Sequence, residues 1–293
     1  MSISVIGVVG GGFMGSGIAE SAAAAGKHAI VFEPDETPLE RARAQVTASV
    51  SRAVERGRLA SDAAAELLDR IVYTTNFVEL RDADAVIEAV PENARVKGEV
   101  FARLDEQLPH ARFLASNTSS IPIAELAAWT SRPGRVVGLH FFSPVPVMKL
   151  VEVVIALDSN TTAVDTAEEF VASIGKQPIR TKDRSGFIVN MLLVPYLMAG
   201  VRMYEEQFAS REDIDEGMRL GCGHPMGPLT LCDFIGLDVL YAVCDSLYEE
   251  FKRPEYAPPP LLKRMVVSGH HGRKTGRGFY DYVPVGAATR VRA

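Results

Sequence analysis

The stretch from Ser4 to Glu33 constrains this chain more than any other. A short apolar run, Ser4–Val9, meets Gly10-Gly11-Gly12-Phe13-Met14-Gly15. An Ala-rich segment of helical character follows, then a second apolar run, Ala29–Glu33, that ends on a carboxylate. A GxGxxG string alone is weak evidence. Set between a strand and a helix, with an acid at the end of the next strand, it is a dinucleotide fingerprint. Gly10 serves the tight turn, Gly12 lets the backbone approach a pyrophosphate, and Gly15 lets helix and strand pack closely. The helix N-terminus offers unpaired N–H groups to phosphate, so Phe13 and Met14 join the glycines as expected cofactor contacts. Glu33 can accept hydrogen bonds from both ribose hydroxyls and would repel a 2′-phosphate, which selects NAD over NADP. Pro34, not an arginine, comes next, in keeping with that choice. FAD is the rival dinucleotide, but the long insertions expected of a flavoprotein are missing.

Further apolar runs lie at Ile71–Thr74, Ala85–Glu88, Arg112–Ser116 and Val136–His140, with helical spacing between most of them. Alternating strand and helix predicts a parallel sheet covered on both faces. Glu36–Arg70 reads instead as two helices broken at Gly57, a helical hairpin projecting from the sheet. Leu150–Ile155 and Gln177–Thr181 continue the strand pattern. From Phe187 onward the segments 187–207, 211–220, 228–251 and 260–268 read as helices, and no clear strand appears. Lys182–Gly186 is a polar link and a plausible boundary. The expected fold is therefore α/β: a Rossmann-type doubly wound sheet with a helical hairpin insertion over 1–183, then an all-α C-terminal domain over 184–293. Gly286–Ala293 reads as a loose tail.

Composition excludes several classes of partner. The chain carries 31 basic and 37 acidic residues, a net charge of -6, and no basic run stands out, which argues against nucleic acid. No run reaches the roughly 18–20 apolar residues a membrane span needs. The first apolar run has no cationic stretch before it, so it reads as a buried strand, not a signal peptide. Cys222, Cys232 and Cys244 fit neither a zinc pattern nor a disulfide framework. They read as thiols in a reducing cytoplasm, and no metal is expected.

Chemistry-bearing residues gather at predicted strand ends, where ligands bind in such sheets. Ser116-Asn117-Thr118-Ser119-Ser120 follows one strand, and Gly138-Leu139-His140-Phe141-Phe142-Ser143-Pro144 spans the end of the next. Met148-Lys149-Leu150-Val151-Glu152-Val153-Val154 then carries a glutamate inside a Val-rich strand. A charge there is costly unless paired, and His140 is the natural partner. Histidine titrates near neutral pH and can accept a hydroxyl proton as hydride leaves an alcohol carbon. A carboxylate behind it would fix its tautomer.

These blocks resemble the L-3-hydroxyacyl-CoA dehydrogenase family, of the 3-hydroxybutyryl-CoA dehydrogenase type. The resemblance extends through Asp183-Arg184-Ser185-Gly186-Phe187-Ile188-Val189-Asn190, through His224-Pro225-Met226-Gly227-Pro228-Leu229, and to Gly272-Arg273-Lys274-Thr275-Gly276-Arg277-Gly278-Phe279-Tyr280. It implies reversible, NAD-dependent oxidation of a short (S)-3-hydroxyacyl-CoA and a homodimer formed through the C-terminal domain. It implies that His140 is the catalytic base, Glu152 its partner, and that Ser119 and Asn190 contact the substrate. It implies NAD contacts at Glu92, Lys97 and Asn117, and coenzyme A contacts at Ser49 and Arg56, where the family often has lysine instead of Arg56. Ser143 stands where the family usually has asparagine near the nicotinamide. That departure leaves open a hydroxyacyl group on an acyl carrier protein, or another hydroxy acid of specialised metabolism. A non-catalytic NAD-binding regulator is the rival from another class.

Blander readings stand beside these. Glu92 could simply cap the next helix, and Lys97 could be one more solvated helix charge. Phe141 and Phe142 read as core, His224 as a turn residue, and Arg273-Lys274-Thr275-Gly276-Arg277 as a packed turn.

Overall fold

The computed structural model describes residues 2–282, so the reading of Gly286–Ala293 lies outside the described residues. The chain divides into two compact units, Met1–Phe187 and Ile188–Ala293.

The first unit is built on one eight-stranded sheet of order β3-β2-β1-β4-β5-β6-β7-β8. Its strands are β1 (Val5–Val9), β2 (His28–Phe32), β3 (Ile71–Thr74), β4 (Ala85–Glu88), β5 (Leu114–Ser116), β6 (Val136–Phe141), β7 (Leu150–Ile155) and β8 (Gln177–Lys182). The helices are α1 (Phe13–Ala24), α2 (Glu36–Glu55), α3 (Ser61–Asp69), α4 (Ala94–Gln107), α5 (Ile123–Ala127) and α6 (Thr161–Ser173). Strands β1 to β6 pair in parallel. β7 then runs antiparallel to β6, and β8 runs parallel to β7. The expected parallel sheet is thus parallel only up to β6. The connection between β6 and β7 is too short to hold a crossover helix, so the chain must return as a hairpin.

The apolar runs form strands because both faces are buried. Ile6 and Val8 belong to one core cluster, Val9 and Val86 to the other. β8 has no fully buried residue and carries Pro178, as an edge strand tolerates. Helix α2 buries Leu39, Ala42, Val46 and Val50, a stripe at helical spacing. The chain reverses after it at Gly57, whose φ of +66° suits glycine. This hairpin does not merely project. Val46, Val50, Ala64 and Leu67 share a core cluster with β1 and α1.

The second unit contains α7 (Val189–Glu205), α8 (Arg211–Gly221), α9 (Pro228–Ile235), α10 (Leu237–Phe251) and α11 (Pro260–Val267). The single helix read over 228–251 is in fact two. Gly236 adopts a φ of +102° and breaks the run between α9 and α10. Buried carboxylates stitch this unit together: Asp215 accepts from the Leu229 and Thr230 amides, Asp233 from those of Phe279 and Tyr280. Cys232 and Cys244 lie in its core, and Cys222 is exposed. Among the described residues no helix is long and apolar enough to cross a membrane.

Candidate active site

The carboxyl ends of β1, β2, β4, β5 and β6 share one edge of the sheet, and the antiparallel β7 brings its amino end to the same edge. The strand order reverses between β1 and β4, and at such a switch point the neighbouring loops part to leave a crevice.

The glycine loop lies at this point. Gly10 takes a φ of +100°, and a Cβ there would come within 2.7 Å of the Ala89 carbonyl oxygen. A Cβ on Gly15 would stand 1.8 Å from the Gly10 oxygen, so glycine is what lets α1 start so close to β1. Gly12 differs: a Cβ there would meet no protein atom within 4 Å. It is the N-cap of α1, and no side chain caps the helix. Phe13 is exposed and Met14 half-buried at the same end. Open space in front of uncapped N–H groups is what a pyrophosphate requires, so these residues fit a dinucleotide. Glu33, half-buried past the end of β2, turns Oε1 to the Gly11 amide at 2.6 Å. A carboxylate has acceptor capacity left after one such bond, so Glu33 can bind a ribose while holding the loop.

A buried charge cluster lies beside the loop. Lys97 is 1% exposed and Glu88 fully buried, which rules out the solvated-charge reading of Lys97. Lys97 Nζ lies 2.7 Å from Glu88 Oε1, 3.1 Å from the Val90 carbonyl and 3.3 Å from Glu92 Oε2. An ammonium has three protons, and these partners engage all of them. Glu88 also accepts from the Ser116 hydroxyl at 2.7 Å and the Val90 amide at 2.6 Å. Burial pushes the Glu88 carboxyl above its ordinary range, against the pull of Lys97. Desolvation acts upward on Glu92 too, but Lys97, Thr118 and the Ser119 amide together hold it below the usual value. Glu92 Oε1 accepts from the Thr118 hydroxyl, the Ser119 amide and the Ser120 hydroxyl. It does not cap α4; Asn93 does, accepting from the Val96 amide.

The register of β6 and β7 sets His140 directly opposite Glu152. Cross-strand partners share a face, which explains the pairing of residues twelve apart. Nδ1 of His140 lies 2.7 Å from Glu152 Oε2, with His140 buried and Glu152 wholly so. An ionised carboxylate can only accept, so this contact suits a proton on Nδ1, and in the neutral ring Nε2 would then be the acceptor. The rings of Phe142 and Phe187 flank the imidazole at 4.6 and 5.4 Å between centroids. Asn117 Oδ1 accepts from the Phe141 amide at 3.0 Å and so ties the end of β5 to β6 beside the histidine. Ser119 is half-buried in the loop that Glu92 organises, and Ser143 is exposed just past β6.

The glycine loop, Glu33, Glu92, Lys97, Asn117, Ser119, His140, Ser143 and Glu152 all belong to the first unit, as do Ser49 and Arg56 on the hairpin. Ser49 donates to Glu20 Oε1 at 2.9 Å, and Arg56 is exposed at the end of α2. Asn190 stands half-buried in the first turn of α7, in the second unit. The sequence did not point to Glu88 or Phe187 as site residues, and Phe142, read there as core, is only half-buried and lies against the His140 ring. Glu88 left a signal, an acid in an apolar run, which is the argument that found Glu152. Phe187 left none in composition; its φ of +49° is unusual for an aromatic residue and becomes visible only in the fold.

The family model for the 3-hydroxyacyl-CoA dehydrogenase NAD-binding domain matches residues 5–184, and that for the 3-hydroxyacyl-CoA dehydrogenase C-terminal domain matches residues 186–282. A 3-hydroxybutyryl-CoA dehydrogenase of Mycobacterium tuberculosis is 50% identical over 284 residues, covering 96% of this chain and 99% of that protein. The human mitochondrial hydroxyacyl-coenzyme A dehydrogenase is 41% identical over 283 residues, covering 94% of this chain and 90% of that one. The crystal structure of (S)-3-hydroxybutyryl-CoA dehydrogenase from Ralstonia eutropha superposes with a TM-score of 0.91 at 42% identity, over 96% of this chain and all of that one. An NAD fold at one end of the sheet and matches running through both units lead to one conclusion: the chain belongs to the 3-hydroxyacyl-CoA dehydrogenase family and is an NAD-dependent oxidoreductase.

Proposed function

We propose that the protein oxidises a short (S)-3-hydroxyacyl-CoA, such as 3-hydroxybutyryl-CoA, to the 3-oxoacyl-CoA and catalyses the reverse reduction. The observation that carries this reading is the buried His140–Glu152 pair at the same sheet edge as the glycine loop. The relatives from Mycobacterium tuberculosis and Ralstonia eutropha are 3-hydroxybutyryl-CoA dehydrogenases, which supports the C4 substrate.

His140 Nε2 accepts the hydroxyl proton as the carbinol C–H bond breaks, so the 3-hydroxyl becomes a carbonyl. When bound, NAD supplies the hydride acceptor. Glu152 holds the imidazole in the tautomer that leaves Nε2 free to accept and stabilises the imidazolium that forms. In reduction the imidazolium returns the proton. Ser119 and Asn190 hydrogen-bond the substrate oxygens. Gly10, Gly12, Phe13, Met14 and Gly15 form the phosphate cradle, Glu33 binds the ribose, and Glu92, Asn117 and Ser143 line the nicotinamide side. Lys97 acts there through Glu92, because its protons are engaged. Ser49 and Arg56 meet coenzyme A, with the exposed Arg56 cation binding a phosphate of the carrier. Residues 1–183 serve as the cofactor domain and 184–293 as the substrate and dimerisation domain of a homodimer. Three thiols outside any disulfide suit a cytoplasmic enzyme.

The test is a panel of C4 to C16 (S)- and (R)-3-hydroxyacyl-CoAs, together with a carrier-protein-bound 3-hydroxybutyryl thioester, read by NADH absorbance. The reading expects the highest kcat/KM for the (S)-C4 CoA thioester. NAD binding without NADH formation from any thioester would remove it, and a preference for the carrier-bound thioester would replace the substrate.

A further inference from the structure

Lys176 lies between α6 and β8, far along the chain from the catalytic blocks, and its side chain reaches the connection between β6 and β7. It is 8% exposed. Its Nζ donates to the Val145 carbonyl at 2.5 Å and to the Met148 carbonyl at 2.9 Å. Both partners are neutral. The charge that acts on it, Lys149, has its own sign. Burial first, and that repulsion second, bring the Lys176 ammonium down to about 8. A buried cation facing carbonyls and a like charge is costly, and an apolar side chain would fill the space more cheaply. The ammonium is accounted for by what its donors hold.

They hold residues 143–149. This segment folds on itself through the Val147 and Met148 amides, which both donate to the Pro144 carbonyl. Its middle is wedged against α1: a Cβ on Gly17 would stand 2.8 Å from Val145 Cβ and 3.4 Å from Pro146 Cδ. Val145 is 2% exposed and sits in the same core cluster as Ile18. The residue after Lys176 also grips the segment, since the Gln177 amide donates to the Lys149 carbonyl at 2.7 Å. The segment starts three residues after His140 and ends three before Glu152. Lys176 therefore clamps the piece of chain that links the proton-accepting pair to the dinucleotide-binding helix.

We propose that Lys176 is a positioning residue for hydride transfer: its two carbonyl contacts press the Ser143–Lys149 segment against α1 and so fix His140 and Ser143 relative to the dinucleotide site. The inference rests on the reading of His140 and NAD given above. It differs from it in assigning rate, not cofactor affinity, to a residue that touches neither substrate nor NAD.

The experiment compares wild type, Lys176→Met and Lys176→Arg. It measures folding by circular dichroism, NAD affinity by titration, kcat and KM with (S)-3-hydroxybutyryl-CoA, the deuterium isotope effect on kcat, and amide exchange over 143–149. The expected result is a folded Lys176→Met that binds NAD within about threefold of wild type but loses about tenfold to a hundredfold in kcat. Its isotope effect is larger and its Val147 and Met148 amides exchange faster, while Lys176→Arg recovers most of the rate. A folded Lys176→Met with wild-type kcat overturns the inference. So does a rate loss that merely tracks the unfolded fraction, or one confined to NAD affinity. Wild-type protein that turns over no hydroxyacyl-CoA overturns the functional reading and this inference together. An active wild type with an equally active Lys176→Met overturns this inference alone.

Discussion

Lys97 Nζ stands 2.7 Å from Glu88 Oε1, with both side chains removed from solvent at the switch point of the sheet. The pair joins the end of β4 to α4, and through Glu92 it reaches the 118–120 loop. Removing one member leaves the other charge buried and unpaired. Lys97→Met should therefore cost about 3–5 kcal/mol of unfolding free energy in urea denaturation. A Glu88→Gln/Lys97→Met double variant should recover part of that loss, because no naked charge remains. If Lys97→Met were as stable as wild type, the pair would not have the structural role assigned to it.

The glycines of the loop should separate by phenotype. Gly12→Ala adds a methyl where no protein atom lies within 4 Å, so thermal stability should hold within about 0.5 kcal/mol while NAD binds more weakly. Gly15→Ala places its methyl 1.8 Å from the Gly10 oxygen, so the fold itself should suffer, by about 1–3 kcal/mol. Calorimetry and NAD titration on the same samples check both. Equal NAD affinity in Gly12→Ala would contradict the assignment of the space in front of α1 to phosphate.

Glu33 accepts from the Gly11 amide, and in the proposed reading it also binds the ribose. Glu33→Ala should weaken NAD by about tenfold or more, the worth of a charge-assisted hydrogen bond, and narrow the preference over NADP. Steady-state kinetics with both cofactors measures it. An unchanged ratio of kcat/KM values would refute the role.

The sheet was legible in the sequence because its strands are buried on both faces and so read as continuous apolar runs. Ile71–Thr74, Ala85–Glu88 and Leu150–Ile155 agree to the residue. The reversal at β7 was not legible, since strand direction depends on the short connection and not on the apolar pattern. Gly236 was passed over inside an apolar helical run, although its positive φ splits α9 from α10. At the site, Glu152 was found from the cost of a buried charge. Glu88 obeys the same argument but escaped it, because it ends its run and looked like a strand terminus. For Lys97 the sequence left a solvated charge open beside a cofactor contact, because Arg95 and Glu99 on the same helix are charged, and only the packing shows which way its side chain turns. Lys176 gave no signal, as its partners are backbone carbonyls that no residue type announces.

In the proposed reaction His140 is the proton acceptor, held by Glu152 across the β6–β7 register. The direct measurement is a single-turnover reduction of NAD by saturating (S)-3-hydroxybutyryl-CoA in His140→Gln, with NAD affinity determined alongside. Glutamine keeps a polar side chain of similar reach but cannot accept and return the proton. Hydride transfer should slow by about a hundredfold or more, with NAD bound as in wild type. Transfer at the wild-type rate in His140→Gln would contradict the account.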